Sequence, residues 1–503
     1  MNKKNQCNYI NIKKPIIIIV LIISTLSQTY CQKKTITLTL KNSIETALQQ
    51  SPEYYIIKHQ YLSKYWKYKS FKSRLLPFID FHSTLTDFNR SISRITLPDG
   101  NDAFINRSLN NSSCNLTINQ QIFTGGRFFI SSGLQKIDLL GDSTITSFLS
   151  SPVNIGFTQP IFSYNSFKWE KKIEPVEYEE AKRQFVAEHE EIAMLAITHF
   201  FNYALAQLNY EIETINYNNN DTLYKIGQGR YRMGTIAQEE LLQLELNNLN
   251  STSQIKQSRI DLESKKQKLI NFLGLSNDVE IIIIIPTDMP LTKIDAVNAL
   301  NYSLQNNPAS FNFKKQILNA ESDLEKARLK KHFNANLTAS YGLTQTSKKL
   351  DDIYINPQDK QSVSLGIEIP ILDWGNNKMN YEMAKSNLNV TNLTVKKNKQ
   401  EFKQNVIIEV SKFNILKEQM IIAAKSDTIA NLKYKISRKR YLSGKISIID
   451  LNISSSEKDI AKRNNLNVLK SYWMQYYYLR ELTLYDFKKN QNLIELYDFK
   501  NLQ

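Results

Sequence analysis

Glycine and proline are missing where they would tell most. From Asn376 to Gln503 the only glycine is Gly444, and there is no proline. These two residues are a chain's main punctuation, so 128 residues with so little of it predict long helices. Cysteine is also scarce. Cys7, Cys31 and Cys114 are the whole complement, two of them in or beside the amino-terminal segment, which excludes a disulfide framework and a Cys-based metal site. The five histidines, His59, His82, His189, His199 and His332, have no metal-ligand spacing. Gly125-Gly126 lacks the strand-then-helix context of a phosphate loop. No catalytic constellation is present, so neither enzyme activity nor a cofactor is expected. No apolar run reaches the roughly 20 residues that cross a bilayer as a helix. Ile16 to Ile23 is too short, and Ile281 to Ile285 is ended by Pro286.

The net charge of +16 is spread along the chain rather than clustered, so nucleic acid is not expected as a partner. Lys3, Lys4, Lys13 and Lys14 followed by the apolar run predict a secretory signal peptide over residues 1–31. Thr29 and Cys31 are small enough for its cleavage site. The rival reading makes Cys31 a lipid-bearing cysteine.

The chain also repeats itself. At an offset of 210 residues, Gly156, Pro160, Tyr224, Arg230, Tyr231 and Gly234 fall on Gly366, Pro370, Tyr434, Arg440, Tyr441 and Gly444. IGFTQPIF stands against LGIEIPIL, and YKIGQGRYRMGT against YKISRKRYLSGK. An earlier pair, Ser51-Pro52 and Asn307-Pro308, is offset by 256. The first half therefore carries 46 additional residues, placed within about 85–155. The organisation expected is a first repeat over 32–275 with its tip at 227–236, a linker over 276–295, a second repeat over 296–485 with its tip at 440–447, and a tail over 486–503.

Phe402, Val406, Phe413, Leu416 and Met420 form a heptad-like stripe, and Ile453, Ile460, Leu469, Trp473, Tyr476 and Leu482 continue it on a return arm. Asn376 to Lys435 would span about 90 Å as one helix. Such helices must fold back as antiparallel hairpins with Gly234 and Gly444 at their tips.

Two segments alternate strictly instead. Ala335, Leu337, Ala339, Tyr341 and Leu343 share one strand face, and Val363, Leu365, Ile367, Ile369 and Ile371 another. Ile79 to Phe88 and Val153 to Phe162 are their weaker counterparts in the first half. The length suits tilted membrane strands, and two hairpins cannot close a barrel alone, so several chains must share one. The additional residues are read either as two further strands or as a loop over the barrel mouth. The loop is favoured, because Phe128 to Leu140 alternates poorly.

This order of parts resembles the TolC-like outer-membrane efflux protein family. The resemblance is carried by SIETALQQSPE, LLPF at Leu75–Phe78, FTQPIF, IEIPILDWGN and the two RYxxG tips. It implies an α+β membrane protein, with antiparallel helical hairpins forming a periplasmic α-barrel and β-hairpins forming a shared trimeric β-barrel, four strands from each chain. The function implied is a passive exit duct in the outer membrane of a Gram-negative-type bacterium, reaching into the periplasm. Its implied partners are two further copies, outer-membrane lipid, a periplasmic adaptor (membrane fusion) protein, and an inner-membrane efflux pump or ABC transporter. The resemblance assigns adaptor docking to the tips, here Arg230, Tyr231, Gly234, Arg440 and Gly444. It assigns the aperture to Glu240 and Asp450, each six residues past its tip glycine, and to Tyr441, matching a tyrosine that helps hold the second hairpin closed. The family's pattern has an arginine where this chain has Ile446 and an aspartate where it has Ile453, so the closing network is thinner here.

Other readings remain for these residues. Glu240 and Asp450 also suit helix-start acids that complement the helix dipole, Arg230 and Arg440 suit plain surface charge, and the tip tyrosines suit packing. For the chain as a whole the alternative is a periplasmic or surface coiled-coil scaffold, which would leave the alternating strands unexplained. A periplasmic adaptor would need Gly-containing β domains around a single hairpin.

Overall fold

The computed structural model describes residues 34–141, 143–276, 279–286, 293–499 and 502. The predicted signal peptide and Cys31 lie outside them. The chain divides into two compact units, each drawing on both repeats. Among the described residues, one draws on those within 34–52, 195–286 and 427–467, and the other on those within 53–194, 293–426 and 468–502.

The duplication is visible element by element. The first repeat runs β1 (Lys34–Thr39), α1 (Leu40–Gln50), α2 (Pro52–Ser73), β2 (Phe78–Thr96), β3 (Asp102–Gln121), β4 (Arg127–Leu140), β5 (Ile145–Ile161), α3 (Ser166–Arg232) and α4 (Gln238–Leu273). After it come β6 (Val279–Ile284), α5 (Ala296–Asn306), α6 (Pro308–Lys330), β7 (Asn334–Ser347), β8 (Gln358–Glu368), α7 (Asn376–Leu442) and α8 (Ile448–Thr483). The helices α3 and α7 both have 67 residues, and α4 and α8 both have 36. No described helix is long and apolar enough to cross a membrane. The stretch read as a linker holds β6, which pairs in parallel with β1 from Lys34↔Val279 to Thr39↔Ile284.

One six-stranded antiparallel sheet collects the remaining strands in the order β2-β3-β4-β5-β7-β8. This corrects the expected loop. The additional residues form most of β3 and β4, and each chain has six strands in this sheet rather than four. The poor alternation of Phe128 to Leu140 comes from composition, since Ser132, Lys136 and Asp138 share a strand face with Phe128, Ile130 and Leu134 while β4 pairs with β3 without a slip. The register slip opposite Ser131 and Gly133 places its extra residue in β5, between Ser151 and Asn154.

In the unit that holds the sheet, Val406, Val410 and Phe413 of α7 pack with Tyr472, Tyr476, Leu479 and Leu482 of α8. The predicted stripe thus supplies the core, with Phe402, Leu416, Met420 and Trp473 packed at its edge. Ile453 and Ile460 do not join a core and lie exposed. The tail packs into the same unit through a short hairpin, β9 (Tyr485–Asp486) with β10 (Gln491–Asn492). Arg480 of α8 reaches Glu190 at 2.8 Å and Asp486 at 3.2 Å. The Tyr497 hydroxyl lies 2.6 Å from Nδ1 of His189. Burial, aided by the charge of Arg480, pushes that imidazole down to about 4, so it is neutral at physiological pH.

Candidate functional site

The two hairpin tips lie in one unit and share a backbone solution. At the first, Gly234 takes φ +68° and its N–H donates to the Tyr231 carbonyl at 2.9 Å, while the Thr235 N–H donates to the Arg230 carbonyl at 2.9 Å. At the second, Gly444 takes φ +71°, with Gly444 donating to Tyr441 and Lys445 to Arg440, both at 2.9 Å. This paired 5→2 and 6→1 pattern ends a helix with a left-handed residue, which is why glycine stands at both places. A side chain there would meet no neighbouring atom, so the requirement comes from the backbone angle rather than from space.

The side chains diverge. Tyr441 is buried at 4% exposure, whereas Tyr231, its counterpart by repeat, is 42% exposed. Tyr441 packs with Leu244, Ile448 and Leu451, and Ile446 lies against the same cluster. The Tyr441 hydroxyl donates to Oε1 of Glu240 at 3.1 Å, joining the second hairpin to the first. Burial, then the charge of Glu240 and this bond, push the phenol up to about 12, so it remains a donor across the physiological range. A second tie runs the other way. Arg230 Nη2 donates to the Leu442 carbonyl at 2.8 Å, and its guanidinium stands 6.0 Å from the Tyr441 ring centre. The tie satisfies one of the carbonyls that the end of α7 leaves without a helical partner.

The two acids also part company. Asp450 turns back on its own helix. Its Oδ2 accepts from the Ser447 N–H at 3.1 Å and hydroxyl at 2.8 Å, and the Asp450 N–H donates to Ser447 Oγ at 3.2 Å. That is a capping box. The Ser447 hydrogen bonds, ahead of the charge of Arg440, hold the Asp450 carboxyl below the usual carboxylate range. At the start of α4 the equivalent cap is Ala237, which makes no side-chain bond and leaves the Glu240 carboxylate free to take Tyr441. Arg440 is exposed.

The structure therefore brings Arg230, Glu240 and Tyr441 together across the tips and leaves Tyr231, Arg440 and Asp450 outside that contact. The sequence reading missed the pairing, although Ser447 against Ala237 was a visible signal for it. Further along the same hairpins is a polar layer it also missed. Asp459 is buried and accepts from Asn216 at 2.9 Å beside Lys458 at 3.1 Å, and Arg463 donates to Asn209 at 2.8 Å and to Glu213 at 3.1 Å. Among the described residues no group of three or more His, Cys, Asp or Glu is arranged to hold a metal ion.

Residues 300–483 match the outer membrane efflux protein family. No curated protein matches the chain in sequence. Among solved structures, the CmeC outer membrane channel of Campylobacter jejuni superposes with a TM-score of 0.64 at 14% identity, over 92% of this chain and 89% of its own. CusC superposes with a TM-score of 0.62 at 14% identity, over 88% and 91%. The outer membrane protein VceC of Vibrio cholerae gives a TM-score of 0.61 at 13% identity, over 88% and 95%. The resemblance read from the paired motifs is borne out, in sequence over most of the second repeat and in fold over nearly the whole chain.

Proposed function

We propose that this chain, matching the outer membrane efflux protein family over residues 300–483 and having the fold of the known outer-membrane channels, is itself an outer-membrane exit duct. It conducts its cargo passively from periplasm to exterior and performs no chemistry on it. The observation that carries this reading is the conjunction of a sheet with one apolar, exposed face and two long helical hairpins with matched tips. A coiled-coil scaffold accounts for the hairpins alone.

Three copies surround one conduit in the outer membrane of a Gram-negative-type bacterium, and the hairpins reach into the periplasm. There the exposed parts of the tips, Tyr231, Arg440 and the turns at Gly234 and Gly444, meet a periplasmic adaptor that couples the duct to an inner-membrane pump or ABC transporter. In each protomer the Tyr441–Glu240 and Arg230–Leu442 ties hold the two tips together in a closed arrangement. A hydrogen bond to a charged partner contributes about 1.5–3 kcal/mol, so docking that breaks both must supply a few kcal/mol per protomer. Glu240 and Asp450, repeated by threefold symmetry, give a ring of carboxylates that attracts cations and repels anions.

Single-channel recording of the purified full chain in a planar bilayer tests this, beside a Glu240→Ala/Asp450→Ala variant. A small cation-preferring conductance that grows or loses its preference in the variant is expected. A channel that ignores the variant would keep the duct and remove these residues from the aperture. Folded protein without any channel would return the chain to the scaffold reading.

A further inference from the structure

The sheet holds information about the barrel that the duct reading leaves open. Its strands alternate in direction without exception, so β2 and β8, the two edges, run antiparallel to each other. The β3–β4 hairpin is not a decoration at one end. Gln121 pairs with Arg127 beside its turn, close to the level where Phe78 pairs with Asn119, so the hairpin returns to the end at which β2 begins.

Near the end at which β2 begins, the faces agree across all six strands. One row of directly paired residues reads Ile79, Ile118, Ile130, Ile155, Tyr341 and Gln361, apolar but for its last member. The neighbouring row, on the opposite face, reads Asp80, Thr117, Ser131, Asn154, Gly342 and Lys360. A polar loop folded over a barrel mouth has no reason to continue an apolar row through Ile118 and Ile130. Both edge strands are exposed, β8 along its whole length. An unpaired edge cannot remain in lipid, where every backbone N–H and C=O must find a partner within protein. Six strands fall short of the roughly eight that the smallest barrels need. The occupant of the β2 edge must therefore bring an antiparallel strand of matching faces, and β8 of a second copy has both.

We infer that the β3–β4 hairpin lies in the membrane wall, that β2 of each copy pairs with β8 of the next, and that three copies close an eighteen-stranded barrel. The inference rests on the trimeric duct reading but departs from the twelve strands which the family resemblance implies. Barrels of about 16–18 strands enclose an open aqueous channel, so the outer-membrane part of this duct is a wide pore, and the constriction belongs to the helical tips.

Electron cryomicroscopy of the full chain purified from membranes counts the wall strands directly. Eighteen strands with β2 against a neighbour's β8 are expected. Twelve strands, with β3 and β4 outside the wall, would overturn the inference and leave the duct standing. A particle with no shared barrel would remove both. A lipid-contact measurement gives an independent reading. In a chain freed of native cysteines, a fluorophore on Ile130→Cys should be quenched by nitroxide lipid as strongly as one on Leu365→Cys. Quenching at Leu365 alone would overturn the inference, and quenching at neither would take the duct reading with it.

Discussion

The two tips share a backbone and differ in what they do with it. Gly234 and Gly444 close their turns with the same bonds at the same distances, yet one acid reaches across to the other hairpin and its counterpart caps its own helix. Repetition preserved the scaffold, where glycine and backbone geometry leave little choice. It did not preserve the side-chain partners, which depend on a single neighbouring residue, Ser447 at one tip and Ala237 at the other. Equivalence by repeat is therefore a sound guide to shape and a poor guide to role.

The strongest challenge to this asymmetry is to cut both ties at once. Arg230→Ala with Tyr441→Phe should raise mean conductance in a planar bilayer by about two orders of magnitude, since each tie contributes about 1.5 kcal/mol and 1.4 kcal/mol is tenfold. Conductance no higher than in the unaltered chain would mean the ties do not hold the duct closed. Tyr441→Phe alone should give about a tenfold rise by the same arithmetic, while Tyr231→Phe should give none. Equal effects from the two tyrosines would restore the symmetric reading.

Charge offers a finer comparison. Glu240→Gln is expected to weaken cation preference, measured as a reversal potential in a salt gradient, more than Asp450→Asn does, and it should also loosen the tie to Tyr441. The smallest effect belongs to Ser447→Ala. It should speed hydrogen exchange over the first turn of α8 and leave conductance alone.

Titration separates the helix cap from the tie between the hairpins. The folded value of Asp450 is depressed, so its capping contribution is fully present above the ordinary 3.8 and is lost as pH falls through the lower folded value. Tyr441 is raised to about 12, so its contribution is fully present below the ordinary 10 and is lost as pH climbs from there towards about 12. Exchange at the start of α8 should therefore be protected equally at pH 5 and pH 9, after correction for intrinsic rates. Protection that fell between those values would show that other groups govern this tip.

Much of the architecture was legible because it rests on punctuation and period. Two glycine turns at a fixed separation, a proline-free run and two strictly alternating segments placed the hairpins, the tips and the strands β7 and β8. The loss of legibility in the first half has local causes. An extra residue between Thr84 and Asp87 in β2 and another between Ser151 and Asn154 in β5 break the alternation by which those strands are read, and in β4 Lys136 and Asp138 interrupt the apolar face. The tail was opaque for another reason. It has no repeat partner, and its anchor to His189 joins residues 308 apart in the chain. The tip positions were readable and their pairing was not, because an offset of 210 says where residues correspond and nothing about which of them touch.

The equal lengths of α3 and α7, and of α4 and α8, place a condition on how such a chain can change size. Seven residues added to each arm of one hairpin would carry its tip about 10.5 Å beyond the other, and the Tyr441–Glu240 and Arg230–Leu442 contacts could not form. Seven added to all four arms keep the tips level. Lengthening or shortening is therefore tolerated only as a matched set, which makes hairpin length a quantity the two repeats inherit together, even while their surfaces drift apart.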